Sequence, residues 1–454
     1  MRRDLAIAAA LVAATLAIYA QTLGFAFISL PAPADAPPGA PAPCNFDDDK
    51  YVTRNPWVQA GLSVDGVRAA FTDAAPFNWS PLVMLSLMLD STLFGVDPAA
   101  FHAVNAALHA LDAVLIYALL LSLTRARWPS AIAAALFALH PLRVESVAWV
   151  ASRKDVLSAT FGLLALLAYT RFARRRGLKA YAAAFAATVA ALLSKATWAT
   201  LPALFLLLDY WPLRRPASIT RLLAEKVPFV GAAALVLLVT AAYQEGNRVG
   251  FAELALGDRV VHALATCAWY LAKTLWPTGL APHYPHPYLA TSGGVPWTAP
   301  QLALAALTLV SLMALAIRTA RRGYPLVGWL WFLGALVPVL GFAQYGTQGM
   351  ADRYTHLPHV GLFAAVAFAG AEMLAPQLGN PRVRAAVVAA VAAVLLALGS
   401  ASYLQTRVWR NPDTLFAHSL SVIPHNGVMR QGIARCYQGA GRFGDAQRML
   451  EESH

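Results

Sequence analysis

The sequence has little charge for its length. Asp, Glu, Lys and Arg make up 13% of its 454 residues, and 58% of the residues are hydrophobic. Soluble domains carry about 25% charged residues, so this composition excludes an ordinary soluble protein. The mean hydropathy of +0.54 points the same way. We therefore predict an all-α polytopic membrane protein, because helices of about 20 apolar residues are the usual way for such a chain to cross a bilayer.

Cysteine is scarce as well. The 3 cysteines, Cys44, Cys267 and Cys436, are too few for a disulfide framework. Cys44 and Cys436 both fall on the predicted extracytoplasmic side of the membrane. We expect two isolated thiols there, and a disulfide between them is the alternative.

Apolar segments divide most of the chain. Each is long enough, at about 1.5 Å per residue, to cross or nearly cross the hydrocarbon core. We predict about 11 transmembrane helices, at 5–30, 101–123, 129–148, 155–173, 178–194, 196–212, 227–243, 299–319, 324–343, 357–375 and 384–403.

Basic residues set the orientation of these segments. Short loops rich in Lys and Arg alternate with loops in which acids balance the bases, as the positive-inside rule predicts. The N-terminus is then cytoplasmic, and an odd number of spans puts the C-terminus outside. The net charge of +12 belongs to the cytoplasmic loops, so it does not indicate a nucleic-acid partner.

Other segments lie outside the bilayer in this interpretation. Residues 31–100 form the first external loop of a membrane domain that spans 1–403. Two apolar stretches, 82–94 and 261–276, are short or carry charge, and we predict external interfacial helices there. Residues 404–454 are polar and match part of a tetratricopeptide pattern, which predicts a short external helical tail.

Three adjacent carboxylates, Asp47, Asp48 and Asp49, stand in the first external loop. Mutual repulsion raises the pKa of at least one of them or requires a cation or hydroxyl beside it. Such a group at a membrane face can accept a proton from a hydroxyl or hold a divalent metal. We leave open a metal, Mg²⁺ or Mn²⁺, on Asp47 and Asp48; the alternative for the triplet is a solvated acidic turn.

Further charged residues fall on the same predicted face. Glu145 supplies a second acid, and it is accompanied by Lys and Arg side chains that can bind a phosphate. The alternative for these charged side chains is that they only anchor the helices at the membrane face or snorkel to the interface. Carboxylates that activate a hydroxyl and cations that neutralise a leaving phosphate fit glycosyl transfer from a lipid carrier. No P-loop or Rossmann glycine motif occurs, which argues against a cytoplasmic nucleotide-sugar donor. The predicted phosphate-binding residues are Arg153, Lys154, Lys195, Arg353 and the neighbouring Tyr354.

Histidines form a third group of candidates. His102, Asn105, His109 and Asp112 share one face of a helix at the start of a span. Hydrogen bonds between helices account for polar residues on that face. The alternative is that His102 contacts a substrate or a metal. His283 and His286 lie in a proline-stiffened aromatic loop that suits contact with headgroups or acceptor, and their spacing is a weak metal signal.

Several motifs together resemble a known family. They resemble the bacterial relatives of the TMTC-type transmembrane O-mannosyltransferases, within the GT-C superfamily of polyprenyl-phosphate-sugar-dependent glycosyltransferases. The resemblance covers nearly the whole chain. The motifs lie at 46–52, 78–82, 137–149, 153–155, 207–212 and 351–354.

The resemblance implies a GT-C-like bundle and an inverting transfer of a sugar, often mannose, from a polyprenyl phosphate to a protein hydroxyl. It implies that Asp47 or Asp48 is the general base, that Glu145 is the second acid, and that Arg353 and Lys195 bind the phosphate. It also implies a bacterial inner membrane protein whose partners are the lipid-linked donor, membrane lipid and an acceptor protein. The tail is much shorter than the repeat arrays usual in the family.

Two other functions remain open at this stage. A transporter or flippase of lipid-linked sugars would place charges near the membrane midplane and show paired halves with broken helices. A membrane-anchored scaffold would present the tetratricopeptide helices. The charges gather at one face and no repeat relates the halves, so a glycosyltransferase is the prediction.

Overall fold

The fold is almost entirely helical. A computed structural model describes residues 2–29, 46–73, 79–244, 246, 248–289 and 293–451. Within those ranges the α-helices are α1 Arg2–Tyr19, α2 Pro56–Ala60, α3 Val64–Thr72, α4 Pro81–Phe94, α5 Pro98–Thr124, α6 Arg127–Leu139, α7 Val144–Ala148, α8 Arg153–Arg175, α9 Leu178–Ser194, α10 Leu201–Tyr210, α11 Ile219–Ala224, α12 Val227–Tyr243, α13 Leu256–Leu275, α14 Ala299–Arg318, α15 Tyr324–Leu336, α16 Pro358–Leu374, α17 Pro381–Thr406, α18 Pro412–Val422, α19 Gly427–Gly439 and α20 Phe443–Glu451.

The chain is a multi-pass membrane protein by the length and composition of its helices. Six helical segments of the described residues are long and apolar enough to cross a bilayer, and the bent pair α6 and α7 makes a seventh if it counts as one span. Each of the predicted segments contains a helix, but several helices are short, so eleven crossings stay a prediction. The six segments are Arg2–Gly24, Pro98–Thr124, Val150–Arg175, Ala299–Arg318, Pro358–Gln377 and Pro381–Trp409.

Two predicted spans differ from the structure. The first helix ends at Tyr19, a turn runs to Gly24, and the backbone is extended from Phe25. The span predicted at 129–148 is broken, with a bend of 59° between its two halves. Pro141 explains the break, because proline has no N–H and disfavours helical geometry at the preceding residue, here His140 with ψ of 134°.

The core of the bundle lies between α5, α6, α8, α9, α10 and α16. Two glycines allow large rings to approach the backbone there. A Cβ at Gly162 would lie 2.0 Å from the ring of Trp198, and one at Gly361 would lie 2.4 Å from that of Trp331. Both contacts are closer than atoms can come, so any larger residue would displace the indole.

The external segments pack on one end of the bundle. The strands Tyr284–Pro285 and Gln348–Met350 form an antiparallel pair there. The tail joins the same end, because the carbonyl of Arg410 accepts a hydrogen bond from the N–H of Ala26 at 3.1 Å. Within the tail, α19 and α20 pack against each other, which suits a repeat of two helices, and the tetratricopeptide assignment and the domain boundary at 403 stay predictions.

The cysteines differ in part from expectation. Cys436 is disulfide-bonded, so the prediction of an isolated thiol is wrong for this residue. Cys267 is a free, buried thiol in α13. Cys44 lies outside the described residues.

A buried ion network closes the other end of the bundle. Both carboxylate oxygens of Asp209 accept hydrogen bonds from the hydroxyl of Tyr169, at 2.8 and 2.7 Å, and Lys226 pairs with the same carboxylate. Arg215 donates to Glu225 at 2.6 and 3.0 Å and to Asp209 at 3.3 Å. We call these five residues the Asp209 network. Each acid in it meets at least one cation.

Candidate active site

A cavity opens where α8 begins, at the end of the bundle opposite the Asp209 network. Along α8, Asp155 and Tyr169 are separated by about 21 Å at 1.5 Å per residue, which is most of a bilayer core. The cavity encloses about 340 Å³, part of it open to solvent. Its polar and aromatic wall is formed by Asp155, Lys195, Trp198, Arg353, Tyr354 and His356.

Lys195 reaches the cavity because α9 ends immediately before it and its backbone is extended, with φ of −158°. Its ammonium pairs with Asp155 at the start of α8. It also lies 5.7 Å from the centre of the Tyr354 ring. The side chain keeps 16% of its surface exposed and lines the cavity.

Arg353 also lines the cavity and is held by Glu145. One oxygen of Glu145 pairs with the guanidinium, and the other accepts the backbone N–H of Arg353 at 2.9 Å. The guanidinium also donates to Oε1 of Gln348 at 3.0 Å. Burial lowers the pKa of Arg353, but the neighbouring Glu145 carboxylate more than offsets this, so the pKa lies above its usual value. The arginine is fixed and charged, with 11% of its side chain exposed.

Each residue of the acidic triplet has a different environment. Asp48 is fully buried and accepts backbone N–H bonds from Ile28 at 2.7 Å and Ala151 at 2.8 Å. Burial raises its pKa to about 7 despite these two bonds. Asp49 is also buried, and its pKa is raised by burial. Asp47 has a φ of 62° and keeps 30% of its side chain exposed beside Lys50.

Aromatic contacts join the triplet to the cavity wall. The indole N–H of Trp149 donates to the carbonyl of Phe46 at 3.3 Å, directly before Asp47. The guanidinium of Arg353 lies 5.5 Å from the centre of the Trp149 ring. Lys154 lies 6.0 Å from the same ring. Trp149 therefore links the loop of the triplet, Lys154 and Arg353, although Lys154, Glu145 and the triplet are not part of the cavity wall itself.

Arg153 is placed away from the cavity, in a buried network of its own. Its guanidinium pairs with Asp90 at 2.7 Å and donates to Ser86 at 2.9 Å and to the carbonyl of Phe101 at 3.0 Å. It also donates to Asn105. Its donors are already used inside the protein, which does not favour the predicted contact with phosphate.

The predicted histidines also lie apart from the cavity. His102 is buried against Phe25, with ring centres 6.2 Å apart. The ring of His286 lies 4.3 Å from that of His262, and the carbonyl of His283 accepts from the Asn426 amide at 3.1 Å. Burial lowers the pKa of His283 to about 4 and of His286 to about 3, so both are neutral near pH 7.

Sequence reasoning missed three polar residues of this region. Asp155 lines the cavity. It belongs to the 153–155 motif with Arg153 and Lys154, and that motif could have indicated it as a site residue. His356 lines the cavity two residues after the Asp352–Tyr354 motif. Arg143 is completely buried and contacts Thr355 and His359 on the chain segment that carries Arg353.

The fold and the cavity define a class: a multi-pass helical membrane protein that gathers buried acids and fixed cations at one end of its bundle. No family model matches the chain. Over 95 residues it is 41% identical to the mouse protein O-mannosyl-transferase TMTC1, covering 21% of this chain and 10% of that protein. Over 168 residues it is 31% identical to the Drosophila melanogaster protein O-mannosyl-transferase Tmtc2, covering 35% of this chain and 16% of that protein. The predicted resemblance is thereby confirmed over these segments.

Two solved structures share a weak likeness with the whole chain. The Archaeoglobus fulgidus oligosaccharyltransferase, tethered with an acceptor peptide, is 13% identical, with a TM-score of 0.48, over 99% of this chain and 58% of that one. ArnT from Cupriavidus metallidurans, bound to undecaprenyl phosphate, is 15% identical, with a TM-score of 0.38, over 98% and 76%. Both TM-scores are below 0.5, so neither likeness bears on the mechanism.

Proposed function

We propose that this protein is a membrane glycosyltransferase that moves a sugar from a polyprenyl phosphate to a hydroxyl of an acceptor protein on the extracytoplasmic side. The sugar that we propose is mannose, because the chain is similar to protein O-mannosyl-transferases. The observation that carries the proposal is the joint position of Lys195 and Arg353 in one cavity, beside the loop of Asp47. The similarity to protein O-mannosyl-transferases supplies the reaction class.

The cations suit the leaving group. When the bond between the anomeric carbon and the phosphate oxygen breaks, negative charge develops on the polyprenyl phosphate. Arg353 is oriented by Glu145 and Gln348, and Lys195 is oriented by Asp155, so neither side chain has to reorganise as that charge appears. Cations fixed in advance where charge develops are a large source of rate enhancement.

Asp47 is the better of the two predicted general bases. A base must approach the acceptor hydroxyl to within hydrogen-bond distance and have a lone pair free to receive its proton. Both oxygens of Asp48 accept backbone N–H bonds and the residue is inaccessible, whereas Asp47 is partly exposed. In this mechanism the hydroxyl oxygen attacks the anomeric carbon from the side opposite the phosphate, its proton passes to Asp47, and the configuration inverts. A divalent metal on Asp47 stays a prediction, and Asp48 is a poor ligand for the same reason that it is a poor base.

The proposal is tested with the purified chain in nanodiscs. Labelled polyprenyl-phosphate mannose and labelled GDP-mannose are supplied in parallel with a Ser- and Thr-rich acceptor protein. Label should appear in the acceptor only with the lipid-linked donor, as an α-mannoside if the donor is β-linked. Transfer from GDP-mannose alone, or none from either donor with any acceptor tried, would contradict the proposal.

One observation favours transport as a second candidate. The bend of 59° between α6 and α7 breaks an apolar segment, and broken helices are typical of transporters. Reconstituted vesicles loaded with a fluorescent polyprenyl-phosphate sugar separate the two functions. A transporter would equalise the lipid between leaflets without any acceptor, whereas the proposed enzyme would leave its distribution unchanged.

A further inference from the structure

A buried cluster of two histidines and one aspartate plays no part in the transfer reaction described above. His109 and Asp112 lie one turn apart on α5, and His356 lies just before α16. One donor atom from each lies within 4.8 Å of the other two. His109 and Asp112 are completely buried and His356 is 5% exposed. Three ionisable side chains meeting deep in an apolar bundle need a physical explanation.

The ring of His109 is oriented for metal binding. Its Nε2 lies 3.1 Å from the carbonyl oxygen of Ala138, which can only accept, so Nε2 carries the proton. In a neutral imidazole this leaves the lone pair on Nδ1, and Nδ1 has no hydrogen-bond partner among the residues that the structure describes. A histidine whose far nitrogen donates to a carbonyl is the usual arrangement around protein-bound metals.

The other two side chains are left open in the same place. Thr160 donates to one oxygen of Asp112 at 2.7 Å, while the second oxygen makes no hydrogen bond. That second oxygen lies 3.8 Å from Nε2 of His356. Within the described ranges of the chain, neither nitrogen of His356 has a hydrogen-bond partner. The cluster therefore holds three buried acceptor atoms that nothing in the described chain satisfies.

We propose that His109, Asp112 and His356 bind one divalent transition-metal ion of the zinc class. Two imidazoles and a carboxylate are a common ligand set for Zn²⁺. Tetrahedral bonds of about 2.0 Å put ligand atoms about 3.3 Å apart, so the donor atoms have to close from at most 4.8 Å by small side-chain rotations. One ion satisfies all three acceptors at once.

The surroundings select among metals. The Phe137 ring lies 5.5 Å from that of His109 and 4.9 Å from that of His356, which gives the site an apolar shell. The Arg143 guanidinium lies 5.2 Å from the same phenyl ring, and its charge weakens binding of any cation nearby. Strong nitrogen-ligand bonds are needed to offset that repulsion, which favours Zn²⁺ and Co²⁺ over Mg²⁺ and Ca²⁺.

His356 also belongs to the cavity wall, and we assign the fourth coordination position to that side of the ion. A water molecule or an oxygen of a bound ligand can reach the ion from that side. The site does not depend on the proposed transferase activity, because none of its three ligands has a role in the proposed transfer step. Loss of metal and loss of transfer can therefore be measured separately.

Metal content provides the test. The full-length protein is purified in detergent, stripped with a chelator, reloaded with Zn²⁺ or Co²⁺, desalted and analysed by inductively coupled plasma mass spectrometry. We expect one Zn²⁺ per chain in the wild type and at least a tenfold weaker affinity in Asp112→Asn and His356→Gln. The matched control is His102→Gln, a histidine that is equally buried on α5 outside the cluster and should keep wild-type stoichiometry.

Spectroscopy guards against variants that fail to fold. The Co²⁺-loaded wild type should show the intense visible bands of a tetrahedral site. His356→Cys should retain the metal and add a thiolate-to-cobalt charge-transfer band, which requires residue 356 to be a ligand. A wild type that binds less than a tenth of an equivalent, or a His356→Cys protein that binds Co²⁺ without the new band, would overturn the proposal. The first of these outcomes would favour a direct contact between His356 and Asp112 without a metal ion.

Discussion

The two ends of the bundle solve the problem of buried charge in different ways. In the Asp209 network each acid meets a cation, and Arg215 donates hydrogen bonds to Tyr169, Asp209 and Glu225. At the cavity end, one oxygen of Asp155 has no hydrogen-bond partner among the described residues, and Lys195 and Arg353 keep part of their surface exposed. The closed network serves stability, because leaving a buried charge unpaired is costly. The open end keeps charge available for a substrate.

The largest effect should follow from Asp47→Asn at the open end. Asparagine keeps the size of the side chain and cannot take the acceptor proton, so we expect transfer to fall by about 10²- to 10⁴-fold. Asp47 is partly exposed, so the melting temperature should stay within about one degree, as exposed substitutions seldom cost stability. Scintillation counting of labelled acceptor measures the rate. Asp48→Asn is the companion variant, and a deeper loss there than at Asp47 would reassign the base.

The closed end should respond in stability. Asp209→Asn leaves Lys226 and Arg215 without their shared carboxylate, and breaking a buried pair costs about 3–5 kcal/mol. Thermal unfolding followed by tryptophan fluorescence in detergent should show a large drop in melting temperature. The transfer rate per folded molecule should stay near that of the wild type. If Asp209→Asn instead lost transfer activity and kept its stability, the two ends of the bundle would not differ in function as described.

Lys195→Met sharpens the comparison at the cavity. The substitution keeps an apolar stem of similar length and removes the charge that we assign to the leaving phosphate. Removing one such electrostatic contact costs about 10²- to 10³-fold in turnover. Lys179 is the matched control, since Lys179→Met changes a lysine at the opposite end of the same helix, α9. Equal rates for both variants would remove Lys195 from the site.

The last effect concerns Asp48 and the pH dependence of stability. Its pKa is about 7 in the folded protein against an ordinary value of 3.8, so the folded state binds its proton more tightly. The resulting stability is present below pH 4 and is lost as the pH rises through about 7. The melting temperature of the wild type should therefore decline between pH 4 and 8 more than that of Asp48→Asn. Parallel curves for the two proteins would show that Asp48 does not titrate in this range.

Local sequence was enough to locate the helices and the principal charges. Apolar length predicted a helix in each span, and the positions of Lys195 and Arg353 at segment ends predicted their place near one face. The break at Pro141 was missed because the apolar run continues through it, although the proline itself was the available signal.

The pairing of charges was beyond local sequence. Arg153 was assigned to phosphate, yet Asp90 and Asn105, from two earlier helices, use its donors. In the same way, nothing near His356 indicates that α5 brings His109 and Asp112 beside it. Such contacts depend on how helices distant in the chain are packed, which a single sequence does not reveal.

A structure with bound polyprenyl phosphate tests the central claim most directly. The protein would be imaged by electron cryomicroscopy in nanodiscs that contain the lipid. The account predicts phosphate density within hydrogen-bond distance of Lys195 and Arg353, at the end where α8 begins. Phosphate density at the Asp209 network instead, or a cavity that stays without lipid at saturating concentration, would contradict it.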